Sequence, residues 1–521
     1  MDKEQKRLSR QKSFASATYP TYEPHFVTQQ ELSVNRPDIS FEVPSGSTYD
    51  TTSINGYPTI LISDGGNGLG TNTFTTDYVY ILQGLCFVMD GQTLSIDPGV
   101  VIKGAESQSV PSMLVVAVGG VIQANGTSTD PIVFTAESDE ILPPATANNR
   151  RGTYDEITRG LWGGVAILGD ALINDSATET ALLGDTIDLP NDSRLTFGGG
   201  EGIIGNAGVE MSYVSIRHAG EYNGSYGSMS GLTLAGVTNE AIVNHVEVFG
   251  SDDDGFEFLG GNVNASQLIV VGASDDGFDT DFGYTGKLQY LFGKAVNGYM
   301  GEHDGGIPED TVHGGVFAYN ATFIGDYLDA GVALFRDNAR GHYYKSIFTD
   351  FNTGIGVEYI DTVNSSYDHL VNNELQFGDN IFWNTGAGDY LLTIDNSQTG
   401  YFGDIYTEPG LFNNSYEDPL LDAEYGTATS LVFDTVGFSD DFWQPTVYPG
   451  AFEPGATPWY DGWSLINAPA SIDVDADDYN ALIVVRDQLG GGLVNDWVEG
   501  NAPSTWPNVD FDGNGKVTAL Y

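Results

Sequence analysis

"SDDDGFEFLGGNVNASQLIVVGASDDGFDTD", residues 251–281, states one pattern twice. Asp254-Gly255-Phe256 returns 22 residues later as Asp276-Gly277-Phe278, each time after an apolar run and a cluster of acids. Short apolar runs of four to six residues, bounded by Gly, Asn and Asp, recur from about residue 46, as in "TLSIDPGVVIKG", "MLVVAVGGVIQANGT", "PIVFTAES", "GGVAILG", "YVSIRHAG" and "HVEVFGS". Their lengths and borders predict strands, and no long helical period accompanies them. Gly331 in "YLDAGVALF" and Gly354 in "FNTGIGVEY" repeat the step at 23 residues. A helix-free period of about 20 to 25 residues predicts a β-solenoid, in which turns that cannot bury their own apolar faces stack and share one elongated core. The interval of 32 residues between "YVSIRHAG" and "HVEVFGS" predicts a turn carrying a protruding loop, roughly "EYNGSYGSMS". Segments near 137–160 and 174–200 read as further loops, and loops on a rigid scaffold are where binding is expected.

Composition narrows the partners. The 521 residues carry 72 Asp+Glu against 19 Lys+Arg, a formal charge of −53. Nucleic acid or an anionic membrane would meet a repulsive field, whereas salt and divalent cations relieve the self-repulsion. Cys86 is the only cysteine, so no disulfide forms within the chain, and its apolar run "ILQGLCFVMDG" marks a buried thiol. No apolar stretch reaches the roughly 20 residues of a membrane helix. The N-terminal "MDKEQKRLSRQKSFASATYP" is basic and lacks the apolar middle of a signal peptide. Residues 1–45 balance six acids with six bases and lack apolar periodicity, which predicts an extended arm that is flexible or docks elsewhere.

The order of several motifs carries a resemblance. "ILQGLCFVMDGQTLSIDPGVVIKG", "RGLWGGVAILGDALIN", "VEMSYVSIRHAG", "GLTLAGV", "HVEVFGSDDDGFEFLGG" and "SDDGFDTDFGYTGKLQYLF" resemble right-handed parallel β-helix proteins of marine and Bacteroidetes-type bacteria. In those proteins "DGIEFFGG"-like and "DDAFDWD"-like segments stand in the same order. "VYPGAFEPGATPWYDGWSLIN", residues 447–467, resembles the stretch that ends their domain. The resemblance spans roughly residues 75–467 and implies an all-β, single-stranded right-handed parallel β-helix, secreted or exposed on a bacterial surface. It brings no assigned activity with it. The expected organisation is an arm at 1–45, a β-helix at 46–467 and a small, partly helical unit at 468–521.

In that last unit, "VDADDYNALIVVRDQLGGG" sets Tyr479, Leu482, Ile483 and Arg486 at helical spacing before glycines. "DFDGNGKVTALY" then puts Asp510, Asp512 and Asn514 at positions 1, 3 and 5 of an EF-hand-type loop, with Gly515 at position 6. This resembles a dockerin-like repeat and implies Ca²⁺ there. The chain's last residue, Tyr521, stands where a carboxylate ligand is expected, and the first loop is degenerate, so an Asp- and Gly-rich turn is the alternative.

The acidic corners admit three readings. Equivalent positions of adjacent solenoid turns stack at about 4.8 Å, which sets Asp254 beside Asp276 and Asp253 beside Asp275. Two unpaired carboxylates about 5 Å apart repel by roughly 3 kcal/mol at an effective dielectric near 20, so a half-buried corner needs a cation, a shared proton or backbone amides. Asp252 belongs to the same corner, and Asp279 and Asp281 alternate along the following strand and enlarge the oxygen-rich site. Ca²⁺ suits it because that ion accepts six to eight oxygens in loose geometry. A solvated corner shaped by hydrogen bonds to backbone is the second reading. Paired carboxylates of a glycosidase are the third. A lyase would add a basic residue, and only 11 Lys+Arg lie between 46 and 466; Arg217, His218, His245 and Lys287 are nearest in sequence, and "GEHDGG" supplies Glu302, His303 and Asp304. No Ser-His-Asp, Cys-His or phosphate-loop signature occurs. Tyr222, Tyr226, Tyr343 and Tyr344 read as exposed aromatics on which a sugar stacks, although an aromatic ladder inside the core would use such residues equally well.

These readings converge on a non-enzymatic, calcium-binding surface or appendage protein for adhesion, assembly or glycan binding. A carbohydrate-active β-helix enzyme, either polysaccharide lyase or glycoside hydrolase, is the alternative. A structural subunit of a fibre or virion, assembled through residues 1–45, is the third.

Overall fold

The computed structural model describes residues 41–174, 192–200, 205–222, 229–306, 310, 312–325, 331–359, 365–386, 410–422, 425–427 and 441–466, together with the backbone of 180–182, 391–395, 509–511 and 517–520. The chain is a parallel β-helix. One sheet takes ten strands, from Leu85–Val88 to Leu391–Asp395; the other takes nineteen, and the coil alternates between them. Each turn contributes a short strand to the first sheet, crosses a corner, and then supplies a longer, bent strand to the second.

The bend has a local cause. Tyr213, His245, Gln267, Tyr290, Asn320 and Lys345 stand one per turn, each with φ between +51° and +60°. The left-handed backbone at this position folds every long strand into two faces, and stacking lets one strained corner support the next. Alternation then decides what is inside. Phe256 and Phe258 face the core while Glu257 between them faces outward. Phe256 stacks on Phe278 at 5.3 Å between ring centres, and Phe278 on Phe323 at 5.7 Å.

Register fixes the period. Phe256 pairs with Phe278 and Gly331 with Thr353, both offset by 22 residues. The 23-residue step expected from Gly331 to Gly354 is therefore corrected by one, and those two glycines are not register partners. The longer interval is also explained: Glu210 pairs with Ile242, a turn enlarged by the loop after Ala219.

Both ends and one flank are covered. An antiparallel hairpin of Thr48–Ile54 and Tyr57–Ser63 blunts the first turn's open edge, and Phe41 stacks on Tyr49 at 5.1 Å. The rest of the predicted arm, residues 1–40, lies outside the described residues. Residues 441–466 do not continue the coil but run back across the outer face of the larger sheet. Ala451, Phe452, Tyr460, Trp463, Leu465 and Ile466 cover Phe249, Ile269, Val271 and Phe292. Polar clamps hold this strap: Lys345 Nζ donates to the Thr446 carbonyl at 2.7 Å, and the Leu465 amide donates to buried Glu247 at 2.8 Å. Glu247 also accepts from Ser215 Oγ at 2.6 Å and from Ser464 Oγ. At the C-terminus, Val509–Phe511 and Val517–Leu520 pair antiparallel; the helix expected in that unit lies outside the described residues.

Trp463 is fully buried between strap and sheet. Its replacement by alanine is expected to lower stability by about 3–5 kcal/mol in guanidinium unfolding, whereas Val447→Ala, at a half-exposed strap position, is expected to stay within about 0.5 kcal/mol.

Candidate functional site

The repeated motif builds a carboxylate ladder along one edge of the ten-stranded sheet. Its glycines are obligatory for packing: a Cβ on Gly255 would lie 2.2 Å from Val270 Cγ2, and one on Gly277 would lie 2.6 Å from Met300 Sδ. The backbone therefore turns tightly at each corner, with the preceding aspartate beside the sheet. Asp254 Oδ1 accepts the Asp276 amide at 3.0 Å, and Asp276 Oδ1 accepts the Tyr299 amide of the following turn. One oxygen of each ladder aspartate is thus part of the corner, as the hydrogen-bonded reading expects.

Carboxylate oxygens also gather along this edge. Register carries an outward column from Thr233 through Glu257, Asp279 and Glu302 to Leu334. Carboxylate oxygens of Asp254, Glu257 and Asp279 all lie within 4.8 Å of one another, and so do those of Asp253, Asp254 and Asp275. Asp254, Glu257, Asp276, Asp279 and Glu302 are each less than a tenth exposed. Ser230 Oγ donates to Asp254 and Glu257 at 3.4 and 3.3 Å, and Thr233 Oγ1 to Glu257 at 3.0 Å.

Burial pushes Asp254 well above the usual carboxylate range, reinforced by the charges of Asp253, Asp279, Asp276 and Asp275. Asp276 is raised likewise, first by burial and then by Glu302, Asp275 and Asp279, with the Tyr299 amide opposing. Three ionised carboxylates within 4.8 Å of one another repel by about 10 kcal/mol in sum at an effective dielectric near 20. That rivals a domain's whole folding free energy, so protons or a cation must offset it. A cation with oxygen ligands at about 2.3–2.6 Å spans such a group of oxygens.

A basic side chain bonded to this column is Arg336. It donates to both Asp304 oxygens, the Nη2–Oδ2 contact being 2.9 Å, and its Nη1 lies 3.2 Å from Glu302. Burial works to lower its pKa, but the Asp304 hydrogen bonds and the charges of Glu302, Asp304 and Asp279 outweigh it and hold it above its ordinary value.

Other sequence candidates fall elsewhere. Asp252 pairs with Arg159 at 3.5 Å, outside both close groups of oxygens. Asp281 ends its strand in register with Leu259 and accepts the Phe282 amide at 2.6 Å, also outside those groups. Tyr343 is a correction: it is fully buried in the solenoid core, its hydroxyl 2.9 Å from His303 Nε2, so no sugar stacks on it. Adjacent strand residues face opposite ways, and Tyr344 is the outward one, stacked on His342 at 4.4 Å. Tyr222 is 39 % exposed. Tyr226, Asp512 and Asn514 lie outside the described residues, and Asp510 stands in the Val509–Phe511 strand, paired with Ala519. Sequence reasoning missed Glu257 as a ladder member and did not connect Glu302 to it. The signal was present, because Glu257 follows Asp254-Gly255-Phe256 as Asp279 follows Asp276-Gly277-Phe278.

Two of the basic candidates, Arg217 and His218, are structural. Arg217 and His218 are buried beneath residues 137–160, and Arg217 Nη1 donates to the Arg150 carbonyl at 2.6 Å. His303 points into the core, where burial lowers it to about 3. Cys86 is fully buried, which pushes its thiol up to about 12.

Coil and ladder together define a parallel β-helix with an acidic outer edge. The chain belongs to the pectate-lyase-like beta helix domain family, whose match covers residues 68–396. Comparisons with curated proteins and with solved structures give no match.

A carboxyl with a raised folded pKa keeps its proton longer in the native protein, so its contribution to stability falls as pH rises from near 4 through the folded value. In chelator, the melting temperature of the wild type is expected to fall between pH 5 and pH 7. Asp254→Asn, which keeps an oxygen for the Asp276 amide, is expected to flatten that slope; equal slopes would contradict the ladder's coupling.

Proposed function

We propose that this chain is a calcium-binding β-helix protein of a bacterial surface or its surroundings, which holds glycans or neighbouring surface proteins without cleaving them. The observation that carries the reading is the enclosure of Asp254, Glu257 and Asp279, with oxygens within 4.8 Å of one another in a chain of charge −53. An oxygen-only, acid-rich set favours a hard divalent cation over a transition metal. The bound ion would stabilise the coil by joining successive turns. It would also offer a positive point to partners on an otherwise repulsive surface. A marine or Bacteroidetes-type origin agrees with the motif order and the acidic composition. A second calcium loop at Asp510, Asp512 and Asn514 is the corresponding reading for the C-terminal unit. No helix among the described residues is long and apolar enough to cross a membrane.

The family's description favours a second reading, a carbohydrate-active enzyme acting at the ladder. Proton abstraction from a sugar ring needs a base that is unprotonated near the working pH. Arg336 is held cationic by Asp304 and Glu302, and His303 faces the core rather than the ladder. These features weigh toward binding.

Thermal unfolding decides the cation. At 100 times the dissociation constant, calcium is expected to add about 2.7 kcal/mol, which chelator removes. Asp254→Asn combined with Glu257→Gln is expected to remove most of that gain, leaving only what the C-terminal loop contributes, with the fold intact by circular dichroism. An unchanged calcium response in the double variant would overturn the site, and release of unsaturated or reducing sugar from a polysaccharide panel would favour the enzyme.

A further inference from the structure

A cleft of about 340 Å³ opens at the opposite corner, where successive turns leave the ten-stranded sheet. Thr238, Asn239, Asn262 and Thr285 line it from three successive turns, and Leu172 and Val312 form its apolar side. The volume lies at the lower end of the range for small-molecule sites, which suits one or two sugar rings.

The cleft is preformed. Residues 169–174 cross the corners and are tied to three turns: Ala171 N donates to Gly236 O at 2.9 Å, Gly261 N to Leu172 O at 2.9 Å and Asn174 N to Phe282 O at 2.8 Å. Gly261 leaves bare backbone in the wall, because its φ is +72° and a Cβ would lie 2.4 Å from the Val237 carbonyl oxygen. Asn262 Oδ1 accepts the Asn239 amide at 3.0 Å, which fixes that side chain and leaves its NH₂ group as a positioned donor. The Asn239 side-chain carboxamide adds both a donor and an acceptor. Among the described residues no Lys, Arg or His lines the cleft, and Glu240 does, so an anionic ligand is disfavoured.

Amide and hydroxyl groups opposite a small apolar wall, without a cation, match the alternating hydroxyl and C–H faces of an uncharged sugar. We propose that this cleft is a subsite for a neutral pyranose unit of a glycan. The inference deepens the glycan-holding reading and is independent of the calcium ladder, which lies at the other end of the same strands.

Saturation-transfer NMR tests it with the full chain in chelator, using methyl glycosides of glucose, galactose, mannose and xylose, with methyl glucuronide as the anionic control. Transfer to at least one neutral glycoside is expected. Thr285→Tyr, which fills the cleft from an exposed position, is expected to abolish it. Asn262→Asp keeps the acceptor for Asn239 and removes the donor, and is expected to weaken binding about two- to tenfold. Retained binding in the Asp254→Asn, Glu257→Gln variant is expected and separates the two sites. No transfer to any neutral glycoside, transfer that survives Thr285→Tyr, or equal transfer to the glucuronide would overturn the proposal.

Discussion

Register is the constraint on which the structure depends. Each turn sits on the last with an offset fixed by backbone hydrogen bonds, so whatever stands at one position meets its equivalent one rung away. For phenylalanine this is favourable, and Phe256, Phe278 and Phe323 stack through the core. For aspartate the same geometry is costly. Asp254 and Asp276 cannot separate without shifting the turns that bury Phe256 and Phe278. The charge must be offset where it stands, by protons or by a cation, and a divalent cation can serve several carboxylates at once.

The outer faces divide the labour. The strap of residues 441–466 occupies the larger sheet, with Trp463 and Phe452 seated on Phe249 and Phe292. Ile173, Leu195 and Phe197 pack on the early turns of the smaller sheet, against Phe87, Val115, Leu168 and Leu259. Between that cover and Arg336 the column Glu257, Asp279, Glu302 carries the acids, and the edge formed by Asp253, Asp254, Asp275 and Asp276 flanks it. Arg336 closes the row electrostatically by neutralising Asp304 and Glu302.

The coil was legible because solenoid order is written locally: apolar run, corner, apolar run, at a nearly constant step. Corner aspartates were legible for the same reason. Glu257 was harder to read, since an acid between two phenylalanines looks like ordinary strand alternation until register stacks it on Asp279. Tyr343 and Tyr344 show the limit from the other side. Sequence says that they face opposite ways, and only the inward column containing His303 and Phe335 decides which is buried. The strap's path back over earlier turns rests on contacts such as Ser464 with Glu247, 217 residues apart, and no local pattern encodes them. The Asp276 amide bonded to Asp254 Oδ1 shows that a corner-shaping hydrogen bond and a gathering of carboxylates coexist at one residue, whose Oδ2 accepts from Ser230.

On the proposed reading a cation, rather than shared protons, neutralises the ladder near neutral pH. Long-wavelength anomalous diffraction from crystals grown with calcium tests it most directly. An anomalous peak is expected about 2.3–2.6 Å from oxygens of Asp254, Glu257 and Asp279. The absence of any peak there at saturating calcium, with those carboxylates drawn into direct hydrogen-bonded contact, would contradict it.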